Sequence, residues 1–318
     1  MLQDHHSLNN DLVRCNNNSL ITAYSMSKFS VSSFLKARLR PEKTPVNNPR
    51  HNWYRILSVS LGVLLAGVIG LIGFGNQHPA YTQQPTEYIN AVNDAKVVEP
   101  WEVHPNLTAI TPTAPNLVWQ DATKKRLAVV TWTTQSSYNA NYTAKPLPPT
   151  TREIWVTAVP DLKNFCKNFL ATAPANTNLN LRLEKLMGLP ASGGSTTVKP
   201  KEVFVQLWVS PNDLFRPSPD PEISDNVSSV TYPTTYTPEQ KKWFDRGHKQ
   251  WIDNLTKASY GPPAESGYPW TRLGYTYDWN TTNPKDLKTK VGLSEFVIAP
   301  GATIEVQGAV NTASYCTK

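Results

Sequence analysis

The sequence lacks the short motifs by which most enzymes and metalloproteins are recognised. It has no HExxH, CxxC or GxSxG pattern and no histidine pair at metal-ligand spacing. Of its 6 histidines, only His78, His104 and His248 follow the first 55 residues. Few bases are therefore available for a catalytic triad or a Cys–His pair. We predict neither a metal site nor a cofactor.

Charged residues are also scarce, at 17% of the chain, with a net charge of +7. The first 55 residues hold eight Lys or Arg against three Asp or Glu, a net +5, which leaves +2 for the remaining 263. A nearly neutral remainder has no basic surface for nucleic acid, so that class of partner is excluded. We interpret residues 1–55 as a basic, largely disordered arm in the cytoplasm.

No charge interrupts the apolar run of 19 residues from Ile56 to Phe74. As a helix it would be about 28 Å long, enough to cross a bilayer. Six Lys or Arg lie between residues 36 and 55 and none between 75 and 95, which orients the N-terminus towards the cytoplasm. We predict a single-pass signal-anchor in the cell membrane with a periplasmic C-terminal domain. The alternative, a cleaved signal peptide, fits less well because this run is long and begins far from residue 1.

Cysteine is rare, with only 3 in the chain. Cys15 belongs to the predicted cytoplasmic arm, whereas Cys166 and Cys316 belong to the predicted outer domain. An even number of cysteines in an oxidising compartment favours a disulfide between them. The alternatives are a nucleophilic Cys166 and two unpaired buried thiols.

Proline is abundant by contrast, and six of the 27 lie within residues 75–118, which we interpret as a stalk. The domain that follows, residues 119–318, shows both strand and helix patterns. Five strands are predicted, over residues 126–134, 152–159, 202–209, 293–298 and 303–310. Three helices are predicted, one from Pro160 onwards and two over residues 178–187 and 238–255. The expected fold class is α+β.

Two groups of residues are candidates for function. Hydrolysis of glycosides needs two carboxylates flanking one bond, and four carboxylates lie in rigid or aromatic surroundings: Asp220, Glu222, Asp278 and Glu295. Aromatic rings offer flat contact surfaces to sugars, and one segment supplies six candidate ligand-binding residues: Tyr268, Trp270, Arg272, Tyr275, Tyr277 and Trp279. The alternative is that these rings fill the core. The acidic run at residues 213–225 is interpreted as a proline-stiffened loop in which Arg216 pairs with one carboxylate.

Residues 213–222, 268–279 and 292–297 resemble an uncharacterised group of exported, membrane-anchored bacterial proteins of cyanobacterial type. The resemblance covers about residues 153–316. It implies a location in the bacterial envelope. No activity is known for the group, so the resemblance implies no site residues.

Together these patterns predict a membrane-anchored domain outside the cytoplasm that binds an envelope glycan or a protein. One alternative is a cell-envelope hydrolase that uses two of the four carboxylates. A third class is a single-pass subunit of a membrane complex.

Overall fold

The computed structural model describes residues 83–193, 195 and 197–317, which form an α+β fold around a six-stranded antiparallel sheet. The predicted arm at residues 1–55 and the predicted membrane helix from Ile56 to Phe74 lie outside the described residues. Within the described ranges, no helix has both the length and the apolar character needed to cross a bilayer.

Eight strands are present in the described residues. They are β1 (Leu127–Thr133), β2 (Ile154–Ala158), β3 (Val203–Val209), β4 (Leu214–Phe215), β5 (Tyr275–Tyr277), β6 (Val291–Ser294), β7 (Phe296–Ile298) and β8 (Glu305–Asn311). The large sheet has the order β4-β7-β2-β1-β3-β8, and β5 pairs with β6 in a separate two-stranded sheet. β1 and β3 are central because their β-branched, apolar side chains are buried on both faces.

Eight α-helices accompany these strands in the same ranges. They are α1 (Thr86–Ala95), α2 (Gln135–Asn141), α3 (Val159–Thr172), α4 (Leu179–Leu186), α5 (Pro238–Asp245), α6 (His248–Tyr260), α7 (Leu287–Lys290) and α8 (Thr312–Thr317). A capping box between Thr237 and Gln240 begins α5. The single helix predicted over residues 238–255 is divided, because Gly247 adopts a φ of 83° that only glycine takes without strain.

The two faces of the large sheet bury different sets of side chains. On one face Val129, Val205 and Phe296 belong to a single apolar cluster. On the other face α3, α4 and α8 pack over β1 and β3, and α5 and α6 pack over β4 and β7. The second face is therefore covered by two separate groups of helices.

Cys166 of α3 and Cys316 of α8 are joined, with sulfurs 2.05 Å apart and Cα atoms 4.9 Å apart. The predicted disulfide is thus confirmed. It fastens the last helix to α3 on the covered face of the sheet.

The structure differs from the predicted stalk, because residues 86–110 pack into the folded domain. Tyr88 and Val92 of α1 are fully buried in a cluster with Tyr277 and Trp279. The Lys290 ammonium, only 1% exposed, lies 2.6 Å from the Asp94 carboxylate and also pairs with Glu102. Proline-rich turns resemble a linker, but apolar residues four apart on α1 form a face that must be covered.

Candidate functional site

A cavity exists because two neighbouring strands of the large sheet diverge. β1 pairs with β3 over seven residues, but with β2 only at Val129↔Ala158 and Val130↔Thr157. Beyond these pairs β2 stays with β7 on its other side. The space between the diverging strands, at residues 130–133 and 152–157, opens into a cavity of about 460 Å³. We refer to it as the β1–β2 cavity.

Several elements on the helix-covered face complete the walls of the β1–β2 cavity. Leu162 of α3, the turn after α4, and Leu255 and Ser259 of α6 line it, and β5 contributes its whole length. The cavity thus lies where the two groups of helices leave the sheet uncovered.

Glu295, between β6 and β7, is the one residue among the four predicted catalytic carboxylates that lines the β1–β2 cavity. The β2–β7 register ends at Val156↔Phe296, and the next position places Thr157 opposite Glu295. Within the described residues no hydrogen bond or cation offsets the burial of the Glu295 carboxyl, and burial raises its pKa to about 8. The residue keeps partial solvent exposure, because the cavity is open to water.

Two hydroxyl groups in the cavity wall have no hydrogen-bond partner in the described structure. Thr157 is 7% exposed and Ser259 is 1% exposed, and both oxygens are unpaired. Buried polar atoms are nearly always hydrogen-bonded, because an unpaired one costs about 1–3 kcal/mol. These two hydroxyls and the Glu295 carboxyl are therefore free for a ligand.

Aromatic residues form much of the remaining wall. Tyr268, Trp270, Tyr275 and Tyr277, four of the six predicted ligand-binding residues, line the cavity, as does Trp155. Three of these rings direct their polar atoms elsewhere: Trp270 Nε1 donates to the Pro217 carbonyl, Tyr275 to the Glu102 carbonyl and Tyr277 to the Asp94 carboxylate. Those three side chains can therefore offer a ligand only ring surface.

The other two predicted ligand-binding residues have structural roles. Arg272, at a φ of 60°, donates to the carbonyls of Ala95 and Lys96 and so holds the end of α1. Trp279 is 2% exposed and packs edge-on against Tyr88, with its Nε1 bonded to the Leu189 carbonyl. Neither residue lines the cavity.

The other three predicted catalytic carboxylates are bonded to groups of the protein itself. Asp278 forms a two-pronged salt bridge with Arg182, the shorter contact being 2.7 Å. Asp220 accepts a hydrogen bond from Gln240 at 3.0 Å, and Glu222 accepts one from Ser224. These contacts hold loops and α4 in place, and none of the three residues lines the cavity.

The predicted pairing of Arg216 with a carboxylate differs from what the structure shows. Arg216 is fully buried, and its Nη2 donates to the carbonyls of Thr108 and Asp225 at 3.0 and 2.7 Å. Burial lowers the pKa of its guanidinium to about 10, although nearby carboxylates oppose this. Arg216 thus fastens the loop after β4 to residues 107–110.

Charged side chains are sparse in the β1–β2 cavity. Glu153, Arg152 and Lys201 also line it, and Arg152 is exposed. Burial lowers the pKa of Lys201, and the charge of Glu184 opposes that effect. No group of three or more metal-ligating side chains occurs in the part of the chain that the structure describes.

Comparison with known proteins assigns no family. The sequence has no significant match among protein-family models, curated proteins or solved structures. The resemblance to exported bacterial proteins stays a prediction. The β1–β2 cavity is therefore the feature of the molecule from which a function can be inferred.

Proposed function

We propose that this protein is a ligand-binding protein whose domain holds a small molecule in the β1–β2 cavity. The observation that carries the proposal is a set of three polar groups in the cavity wall without protein partners: the buried Thr157 and Ser259 hydroxyls and the partly exposed Glu295 carboxyl. A volume of about 460 Å³ lies within the range of small-molecule sites. Apolar walls with a few convergent polar groups are typical of such sites.

We further propose that residues 56–74 anchor the protein in the cell membrane, with the N-terminus in the cytoplasm. The folded domain would then meet its ligand in the periplasm. The charge asymmetry around the apolar segment supports this orientation, and the disulfide between Cys166 and Cys316 suits an oxidising compartment.

The geometry favours binding over hydrolysis. Glu153 and Glu295 are the two carboxylates that line the cavity. Glu153 lies just before β2, four residues from Thr157, whose strand position is opposite Glu295. Four residues of extended chain span about 13 Å. Glycosidases place their two carboxyl groups about 5 Å or about 6.5–9.5 Å apart. This spacing of the two backbone positions is wider than either carboxyl separation and supports binding over hydrolysis.

The hydroxyl groups allow a test that separates a binding role from a structural one. Thr157→Val removes an unpaired hydroxyl at nearly constant shape, so folding stability should stay constant or rise by about 1 kcal/mol. The matched control is Thr271→Val. The Thr271 hydroxyl donates to the Tyr275 carbonyl at 2.6 Å outside the cavity, and its loss should cost about 1–3 kcal/mol. Urea unfolding of the full-length protein measures both.

Binding is measured on the same variants by tryptophan fluorescence, because Trp155 and Trp270 line the cavity. We expect a saturable change with 2-phenylethanol or N-acetylglucosamine at millimolar concentration, weakened by Thr157→Val and not by Thr271→Val. A stability loss in Thr157→Val equal to that of the control would contradict the proposal. So would binding that Thr157→Val and Thr271→Val weaken to the same extent.

A further inference from the structure

We propose that the ligand of the β1–β2 cavity is an organic cation: a primary ammonium group on an apolar or aromatic body, bound at the Glu295 carboxylate. This inference rests on the proposed binding function and names its ligand class. Two features of the cavity support it: a carboxyl group that no cation of the described protein neutralises, and the hydroxyl groups and aromatic rings that line the same wall.

Two carboxylates that the fold buries elsewhere are paired with cations, and a third, Glu184, accepts a hydrogen bond from the Ser192 backbone N–H. Glu102, 4% exposed, pairs with Lys290, and Asp278, 5% exposed, pairs with Arg182. Glu295 has no such partner among the described residues, and no neighbouring cation contributes to its pKa. A carboxylate removed from water needs a cation or several hydrogen bonds to remain charged. A cationic ligand would supply that charge.

The number and kind of polar groups match an ammonium ion. A primary ammonium has three N–H donors and no acceptor. The cavity wall offers three acceptors without partners: the Glu295 carboxylate and the hydroxyl oxygens of Thr157 and Ser259. An anionic ligand bound at these groups would place its charge beside the Glu295 carboxyl, and the two cations of the wall, Arg152 and Lys201, do not contribute to the pKa of that carboxyl.

The aromatic wall favours the same ligand class. The faces of Trp and Tyr rings carry partial negative charge and attract cations, most strongly where water is excluded. Trp155, Trp270, Tyr275 and Tyr277 line the cavity together with Glu295. Their rings also offer apolar contact to the body of the ligand, which an inorganic cation would not use.

Proton linkage follows from the burial of Glu295. Burial raises the pKa of this carboxyl to about 8, so at neutral pH the empty cavity holds it protonated. Ammonium binding requires the ionised form, so the carboxyl must release its proton to solvent as the cation arrives. Affinity should therefore rise roughly tenfold per pH unit up to about pH 8 and then level off.

The other titratable groups near the Glu295 carboxyl do not reverse the upward shift of its pKa. Tyr260 of α6 is a neighbour, since burial, together with the charges of Glu102 and Glu295, raises its pKa while Arg272 opposes this. The remaining titratable side chains of the cavity wall are Tyr142, Arg152, Glu153, Lys201, Tyr268, Tyr275 and Tyr277. None of these charges contributes to the raised pKa of Glu295.

The ligand class is tested with three probes that share one aromatic body and differ in charge: phenethylamine, 2-phenylethanol and phenylacetate. Each is titrated into the full-length protein at about pH 8, where half of the Glu295 carboxyls are ionised, with tryptophan fluorescence as the readout. We expect phenethylamine to bind at least about tenfold more tightly than the alcohol, and phenylacetate to bind most weakly. Calorimetry in buffers of different ionisation enthalpy should show proton release with the amine alone.

The variant Glu295→Gln should bring the amine and the alcohol within about threefold of each other. Glu265→Gln, which changes an exposed carboxylate outside the cavity, should retain the amine preference. Equal binding of amine and alcohol to the unmodified protein would refute the ligand class and leave the binding function standing. Preferential binding of phenylacetate would refute it as well. The absence of a fluorescence change with all three probes would contradict the binding function itself.

Discussion

The variant Glu295→Gln should make the protein more stable, and only at neutral to alkaline pH. Glutamine has nearly the shape of the protonated glutamate and cannot ionise. The pKa of Glu295 is about 8 in the folded protein, against an ordinary value of 4.5. Because the folded-state pKa is raised, the contribution of Glu295 to stability is fully present below about pH 4.5 and is lost as pH rises towards 8.

The size of the effect follows from the same two values. A pKa difference from 4.5 to about 8 corresponds to about 5 kcal/mol of unfolding free energy once the carboxyl is fully ionised. Water that enters the open cavity screens part of this charge. We therefore expect Glu295→Gln to gain about 2–4 kcal/mol above pH 8 and close to nothing at about pH 4.5.

The assay is urea unfolding of the full-length protein and its variant between about pH 4.5 and 9, followed by tryptophan fluorescence. Both proteins contain His104 and His248, whose pKa values burial lowers, so their titration cancels in the difference. Glu265→Gln is the matched control and should show no pH-dependent gain, because its carboxyl is exposed. A pH-independent difference for Glu295→Gln would refute the assignment of a raised pKa to Glu295.

Two further predictions concern the ion pair and the disulfide that hold the fold. Lys290→Met leaves the buried Glu102 carboxylate without its cation, so the free energy of unfolding should fall by about 3–5 kcal/mol. Chemical denaturation measures this loss, and a change below about 1 kcal/mol would show that the ion pair is dispensable. Cys316→Ser opens a link to Cys166 across 150 residues and should cost about 2–5 kcal/mol. In thermal unfolding, we expect a reductant to destabilise the wild-type protein and to leave this variant unchanged. Equal sensitivity of the two proteins to the reductant would contradict the prediction.

The strands and helices with strong periodicity were predictable from sequence. Residues 126–134, 152–159 and 202–209 were predicted as strands, and β1, β2 and β3 lie within them. The α+β class followed from those runs. β4 and β5 have only two and three residues, too few for an alternating pattern to be distinguished from a loop. α1 was missed because prolines on both sides of it resemble a linker.

The candidate site was predictable only in part. The aromatic segment stands out because five rings lie within residues 268–279, and Glu295 stands out as a carboxylate within the apolar run at residues 293–298. Thr157 and Ser259 give no such signal, since threonine is common in strands and serine is common on helix surfaces. The cavity depends on where β1 leaves β2, which is a property of long-range strand pairing.

A crystal structure of the protein with phenethylamine bound tests the central claim most directly. We predict the amine nitrogen at hydrogen-bond distance, about 2.7–3.2 Å, from the Glu295 carboxylate. The aromatic body should lie among the rings of Trp155 and Trp270, which line the same cavity. A structure in which the β1–β2 cavity holds only water, or in which the amine nitrogen points away from Glu295, would contradict the account.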